Sequence, residues 1–255
     1  MKRKIPNSAR HQLDVQRQLA LKSSLRYERV LKRRRTGEIK RVLRLAEMLP
    51  MEKWNTIPDL LDEKYLKPLY TDLYMKIGEP IANNAINNFL SQKSEFYWEP
   101  IIRSWMEKNL GVKISIIQEG LKEWLREELS QVMGDLTGSI DSMTRELFNR
   151  VSEKWTSVAD WQVRRIVQTE TLTASSVAGY ESVKSLGIPF NKIWVNSGLS
   201  NSRDTHVEAD GQVVDENEPF IVGGEQMMYP RDGSLGASAG NIINCACSHI
   251  AIPKD

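Results

Sequence analysis

Two cysteines and a histidine stand close together near the C-terminus, at Cys245, Cys247 and His249. Strand side chains alternate between faces, so all three share one face if residues 243–250 are extended. Two soft thiolates and an imidazole form a zinc-type ligand set that needs one further donor for tetrahedral closure. His206 is the other histidine outside the basic N-terminal stretch and is the expected fourth ligand. Asp210 is then placed to accept the second ring N–H of His206. A structural zinc ion at His206, Cys245, Cys247 and His249 would staple a glycine-rich stretch with little core of its own. Cys-x-Cys is tighter than the usual Cys-x-x-Cys spacing, so the competing reading is a pair of buried thiols beside a partly exposed histidine.

A charged run overlaps this set: Arg203, Asp204, His206, Glu208 and Asp210, followed by Gly211. Asp with His can work as an acid–base pair, and Ser200 and Ser202 are nominal nucleophiles. No Gly-x-Ser-x-Gly elbow surrounds either serine. The run therefore reads as an ion-paired loop with a turn at Asp210–Gly211. Gly223–Gly224 and Gly233-x-x-Gly236 lack the lysine and the strand–helix context of a phosphate-binding loop. The seven tryptophans, Trp194 included, read as core anchors.

The elements that must position these residues change character along the chain. Residues 1–54 read as a basic helical arm with a weak apolar stripe (Leu13, Leu21, Leu25, Leu31, Val42) and a break at Gly37. Residues 55–187 read as a helical domain, with Pro68, Pro80 and Pro100 marking helix starts or kinks. Ile116, Ile117, Leu121, Trp124, Leu125, Leu129 and Val132 keep the three-and-four spacing of an amphipathic helix. Trp155, Val163, Ile166 and Val167 carry another, with Ser157 and Asp160 in capping-box spacing. That helix is expected to stop where Gly187 supplies a left-handed residue and Pro189 forbids continuation. Residues 188–255 form a small glycine-rich domain: 7 of the 15 glycines lie between Gly198 and Gly240. Its short strands are expected at 192–195, 212–214, 219–222 and 242–252. The fold class is α+β, with helical first two thirds and a small β-containing C-terminal domain.

Charge is distributed unevenly. Residues 1–45 carry 15 Lys/Arg against Asp14, Glu28 and Glu38, a net of +12, while the remaining 20 basic and 30 acidic residues net −10. A basic arm on an acidic body suits a polyanion, and Lys32, Arg33, Arg34, Arg35, Lys40, Arg41 and Arg44 are the expected phosphate contacts. A solvated helix is the plainer alternative. No stretch reaches eighteen apolar residues, which excludes a membrane-spanning helix. Lys2, Arg3 and Lys4 are not followed by an apolar segment, so no secretory signal is expected. Two cysteines make no disulfide scaffold, so an intracellular setting is the default.

The order of the chemistry-bearing residues resembles the phage Mu F-like minor head (head morphogenesis) protein family. The matching positions are Thr169–Glu170 on a helix, Trp194 after a Gly/Pro turn, Arg203 and His206 as Arg-x-x-His, and Asp210–Gly211. Phe220, Pro230 and Asn244-Cys245-Ala246-Cys247 complete the pattern, over roughly the last 90 residues. Ala246 stands where the family usually has Arg, and Asn201 where a first Arg often precedes the matched one. The resemblance implies a low-copy virion protein inside the capsid near the portal vertex, made in the host cytoplasm. Its implied partners are the portal protein, a scaffold or capsid protein and double-stranded viral DNA. The implied role is in procapsid assembly, genome packaging or ejection, without enzymatic activity. The alternative is an enzyme: a metal-dependent hydrolase at His206, Cys245 and Cys247, or an ADP-ribosyltransferase-like phage effector. Eight residues follow Cys247, which is expected to leave no room for an effector domain behind it.

Overall fold

The computed structural model describes residues 4, 5, 7–91 and 97–254. Lys2 and Arg3 lie outside the described residues. Four long helices come first: α1 (Asn7–Arg44), α2 (Leu66–Leu90), α3 (Glu99–Met133) and α4 (Ile140–Lys184). Two 3₁₀ segments, Leu45–Met48 and Met51–Leu60, join α1 to α2. The C-terminal part holds β1 (Phe190–Val195), α5 (Asp204–Glu208), β2 (Val213–Asp215), β3 (Phe220–Val222), β4 (Glu225–Met227), α6 (Ala239–Ile242) and β5 (Ser248–Pro253). The fold is α+β: mostly helical, with a small sheet-containing C-terminal region.

The compact units do not follow three consecutive segments. One unit gathers residues 1–25, 71–106 and 165–255, and the other residues 26–70 and 107–164. Composition predicts consecutive blocks because it registers where texture changes. Packing instead groups stretches of long helices that are distant in sequence.

In the unit of residues 1–25, 71–106 and 165–255, β1 is the centre of an antiparallel sheet of order β2-β1-β5. On one face Ile193 and Val195 pack with Ile5, Ala9, Leu13, Ile250 and Ile252. On the other, Phe190 meets Tyr180 of α4 and Phe89 of α2 at ring distances of 6.4 and 6.0 Å. Trp194, Ala209, Phe220, Val222, Met227, Cys245 and Cys247 form a second core cluster. The hairpin β3–β4 turns through Gly223 and Gly224, both left-handed (φ 58° and 80°), a backbone that β-carbon-bearing residues rarely adopt. Strand β4 has only three residues, Glu-Gln-Met, and shows no apolar alternation in the sequence.

In the unit of residues 26–70 and 107–164, α1 does not break at Gly37. Tyr27, Leu31, Arg35, Ile39 and Val42 continue one buried stripe past it. Gly37 faces open space, so its cost of about 1 kcal/mol is outweighed by packing on the opposite side. Trp155 donates to Thr36 Oγ1 at 2.8 Å and lies 5.3 Å from the Trp124 ring. Ser157 is well inside α4 and donates to the carbonyl of Lys154 rather than capping a helix start. Helix α4 ends at Lys184, three residues before the left-handed Gly187 (φ 65°), as the Gly187–Pro189 stop predicts.

Candidate metal centre

Two short segments bring the centre together. Arg203 precedes the single turn of α5 and donates to the carbonyl of Ile243 at 2.5 Å, tying that turn to the chain beyond α6. His206, on α5, is 2% exposed. After α6 the chain turns through Asn244 in the left-handed region (φ 56°), where the Asn244 N–H donates to Thr169 Oγ1 of α4 at 3.3 Å. That turn delivers Cys245 and Cys247, both buried, before β5 begins at Ser248.

His206 Nδ1 lies 3.5 Å from Cys245 Sγ and 3.5 Å from Cys247 Sγ. All three donor atoms fall within 4.8 Å of one another, a group that could hold a metal ion. The other ring nitrogen, Nε2, is 3.2 Å from Asn241 Oδ1. The Asn241 amide nitrogen donates to Glu225 Oε2 at 2.5 Å, which turns its oxygen toward the imidazole. Nε2 is therefore the protonated nitrogen, and the Nδ1 lone pair faces the sulfurs. Asn241, rather than Asp210, is the acceptor for His206. Asp210 instead accepts from the Asn196 N–H at 2.8 Å and from Arg10 at 2.5 Å.

Arg231 is the functional residue that sequence reasoning missed. It is 1% exposed, sits at φ 71°, and donates to the carbonyls of Cys245 (2.8 Å), Cys247 (2.7 Å) and Leu172 (2.7 Å) and to Ser176 Oγ (2.5 Å). Its Nη1 is also 3.8 Å from Cys245 Sγ. Asp232 anchors the same turn by accepting from the N–H groups of Met228 and Ser234. The only sequence signal was an arginine beside Pro230, inside a stretch that looks like an ordinary loop. The hydrogen bond from Cys247 and the charge of Arg231 hold the Cys245 thiol well below its ordinary range despite burial. The same hydrogen bond, with burial, pushes the Cys247 thiol up. The pocket thus favours one thiolate, and burial pulls the Arg231 guanidinium down.

His249 does not join the group, which corrects the four-residue ligand set. Residues 245–247 belong to no strand, and the alternation expected through them does not bring His249 to the group formed by His206, Cys245 and Cys247. His249 pairs with Trp194 across β1–β5, and its ring lies 6.4 Å from Tyr180 and 6.5 Å from Tyr229. Burial depresses its imidazole to about 3, so it is neutral there. The charged run also disperses: Asp204 and Glu208 are exposed, and Ser202 Oγ meets Ser197 Oγ. Among the other resemblance positions, Trp194 and Phe220 pack beside the group. Trp194 lies 5.8 Å from the His206 ring and 5.4 Å from Phe220, and Glu170, buried in α4, accepts from Tyr74 at 2.6 Å.

The basic residues of α1 divide. Arg33, Arg34, Lys40 and Arg44 are exposed, and Arg44 lies 6.0 Å from the Phe148 ring. Lys32 pairs with Asp160 at 2.6 Å, and Arg41 binds Glu38 at 2.8 Å and the Leu60 carbonyl at 2.5 Å. Arg35 is corrected outright: it is 1% exposed and donates to the Ile117 carbonyl at 3.1 Å, because its place four residues after Leu31 puts it on the buried stripe. A buried guanidinium cannot reach a phosphate.

No protein-family model matches the chain, and no solved structure does. Over 132 residues, half of the chain, it is 32% identical to the NAD(+)–arginine ADP-ribosyltransferase EFV of Enterococcus faecalis. Over 90 residues, 34% of the chain, it is 37% identical to the uncharacterized protein YqbB of Bacillus subtilis. The matched stretches span 26% and 29% of those proteins' own lengths. The first match corrects the expectation of a chain without enzymatic activity, since half of this sequence is similar to part of a protein named as an enzyme.

Proposed function

We propose that the chain is a phage minor head protein of the Mu F-like kind whose C-terminal region is stapled by a structural zinc ion. The observation that carries this reading is the convergence of the resemblance positions. Thr169, Trp194, Arg203, His206, Asn244, Cys245 and Cys247 belong to one connected network around the Cys/His group. Tetrahedral zinc, with Zn–S near 2.3 Å and Zn–N near 2.0 Å, separates nitrogen and sulfur by about 3.5 Å. That is the separation found between His206 Nδ1 and each sulfur. Zinc here would supply cross-linking, joining α5 to the segment before β5. None of the three donors is more than 3% exposed, so bulk water has little access to an ion there, and the fourth tetrahedral position is left to a donor outside this group. Its partners on this reading are the portal protein, a scaffold or capsid protein, and packaged DNA. Of the expected set, Arg33, Arg34, Lys40 and Arg44, exposed on α1, are the phosphate contacts.

The test has two arms. Chain purified without chelator should carry close to one zinc by elemental analysis, and it should co-elute with the portal protein in gel filtration after co-expression. Metal-free protein would remove the staple, and failure to form a portal complex would count against the head-protein role.

A second reading is favoured by the Enterococcus match: the chain is part of an ADP-ribosyltransferase-like effector. Incubation with NAD(+) and agmatine distinguishes it. Formation of ADP-ribosyl-agmatine at a rate above the protein-free control would carry this reading, and no transfer would leave the head-protein reading in place.

A further inference from the structure

We propose that the cavity beside His249 binds a small uncharged carboxamide, which gives its carbonyl to the buried donors there and its short alkyl body to the apolar walls. The cavity measures about 100 Å³ and is lined only by residues of the unit of residues 1–25, 71–106 and 165–255. Leu13 of α1, Ile81 of α2 and Leu172 of α4 supply apolar walls, and Arg231 and His249 supply polar ones. His249 is 8% exposed, and among the described residues neither of its ring nitrogens has a hydrogen-bond partner. Arg231 has both terminal nitrogens occupied, but its Nε has no acceptor. Whichever ring nitrogen carries the proton, two buried N–H donors of these lining residues are left over. Buried donors without acceptors are costly, and folded proteins seldom keep them without a use. Gly179 of α4 adds to this. A β-carbon there would lie 3.7 Å from His249 Nε2, so the glycine leaves that ring edge uncovered, although alanine would suit the helix better.

Size and charge choose the ligand. A cavity of roughly 150 Å³ takes the six heavy atoms of benzene, so one of about 100 Å³ admits about four. The leftover groups are donors and call for a carbonyl oxygen. No carboxylate lines the cavity to hold a cation. Neither arginine is free for an anion: Arg17 pairs with Asp14 at 3.1 Å, and Arg231 already serves three carbonyls and a hydroxyl. An uncharged carbonyl compound remains, and a carboxamide also brings N–H groups for a ring nitrogen that lacks a proton.

Three isosteres of about four heavy atoms, namely acetamide, acetate and acetamidinium, test this on the full chain. The sequence has three histidines, so isotopic labelling of the rings gives His249 its own NMR signal, with His11 and His206 as internal references. Acetamide should shift the His249 ring nitrogens saturably, with a dissociation constant on the order of millimolar because so few atoms make contact. Acetate and acetamidinium should bind at least tenfold more weakly. Gly179→Ala puts a methyl group over Nε2, and Ala85→Leu fills the cavity from α2. Each should weaken acetamide at least tenfold with circular dichroism unchanged, and if one variant does not fold the other decides. Three results overturn the proposal: acetate or acetamidinium binding as tightly as acetamide, a shift indifferent to both variants, or no saturable shift up to about 100 mM, which is the behaviour of a cavity holding water alone.

Discussion

Around His206, the two cysteines and the Arg231 guanidinium are buried and meet named partners. Along α1 between Arg29 and Arg44 most cations stand in water. Arg231 spends four hydrogen bonds on backbone and hydroxyl acceptors inside the protein. Lys32 makes a 2.6 Å ion pair with Asp160, whose side chain is 73% exposed. The distances are similar and the energetics are not. Removing a buried donor strands its acceptors without water, whereas water replaces an exposed partner at little cost. Proximity alone is therefore a poor guide to what an interaction contributes here.

If the proposed zinc is bound, the largest expected effect is loss of the metal staple. Cys245→Ser, or exhaustive chelation, should lower the melting temperature more than any other single change, since structural zinc contributes on the order of ten kcal/mol of apparent binding energy. Calorimetry with parallel elemental analysis measures it, and an unchanged melting point after chelation would reduce the centre to two buried thiols and a histidine.

Arg231→Met should cost about 3–5 kcal/mol, because three carbonyls and a hydroxyl lose their donor in a site closed to water. The urea midpoint reports this. A loss under about 1 kcal/mol would mean the buried and exposed regions are energetically alike.

Lys192 supplies a pH-dependent contrast. It is fully buried, donates to the Met228 carbonyl, lies over the Tyr180 and Phe220 rings, and is depressed to about 8, first by burial and then by Lys184. The unfolded lysine keeps its proton to about pH 10.4, so between these values the unfolded state binds more protons and stability rises with pH. The penalty is fully present below pH 8 and amounts to at most about 3 kcal/mol. Lys192→Met should flatten the slope of stability between pH 8 and 10, and an identical slope in both proteins would assign it to other groups.

Lys32→Ala should be the mildest, under about 1 kcal/mol and smaller still at high salt. A loss matching that of Arg231→Met would break the comparison from its other side.

Much of the fold was legible for local reasons. The stop at Gly187 and Pro189 needs only backbone chemistry, and the periodicity of α3 and α4 needs only one buried face. The start of α4 was misjudged because Ser157 and Asp160 have cap spacing, and spacing cannot say that a helix has already begun at Ile140. Of the group that could hold a metal ion, His206, Cys245 and Cys247 were legible from residue type. His249 was wrongly included because strand alternation was extended through residues 245–247, which precede β5 and belong to no strand. Arg231 and Asn241 were not legible, since neither residue type nor spacing marks an arginine or an amide that orients a ligand.

By itself the sequence determined the long helices, the α+β class, the donor chemistry at residues 206, 245 and 247, and the concentration of positive charge before residue 46. These follow from side-chain chemistry and short-range periodicity, which act within a turn or two of the chain. Only the tertiary structure decided which donors meet, that Arg35 lies inside and Arg34 outside, and that β5 is an edge. Each of those depends on bringing together residues such as His206 and Cys245, 39 positions apart, and that proximity is produced by packing rather than by any local preference.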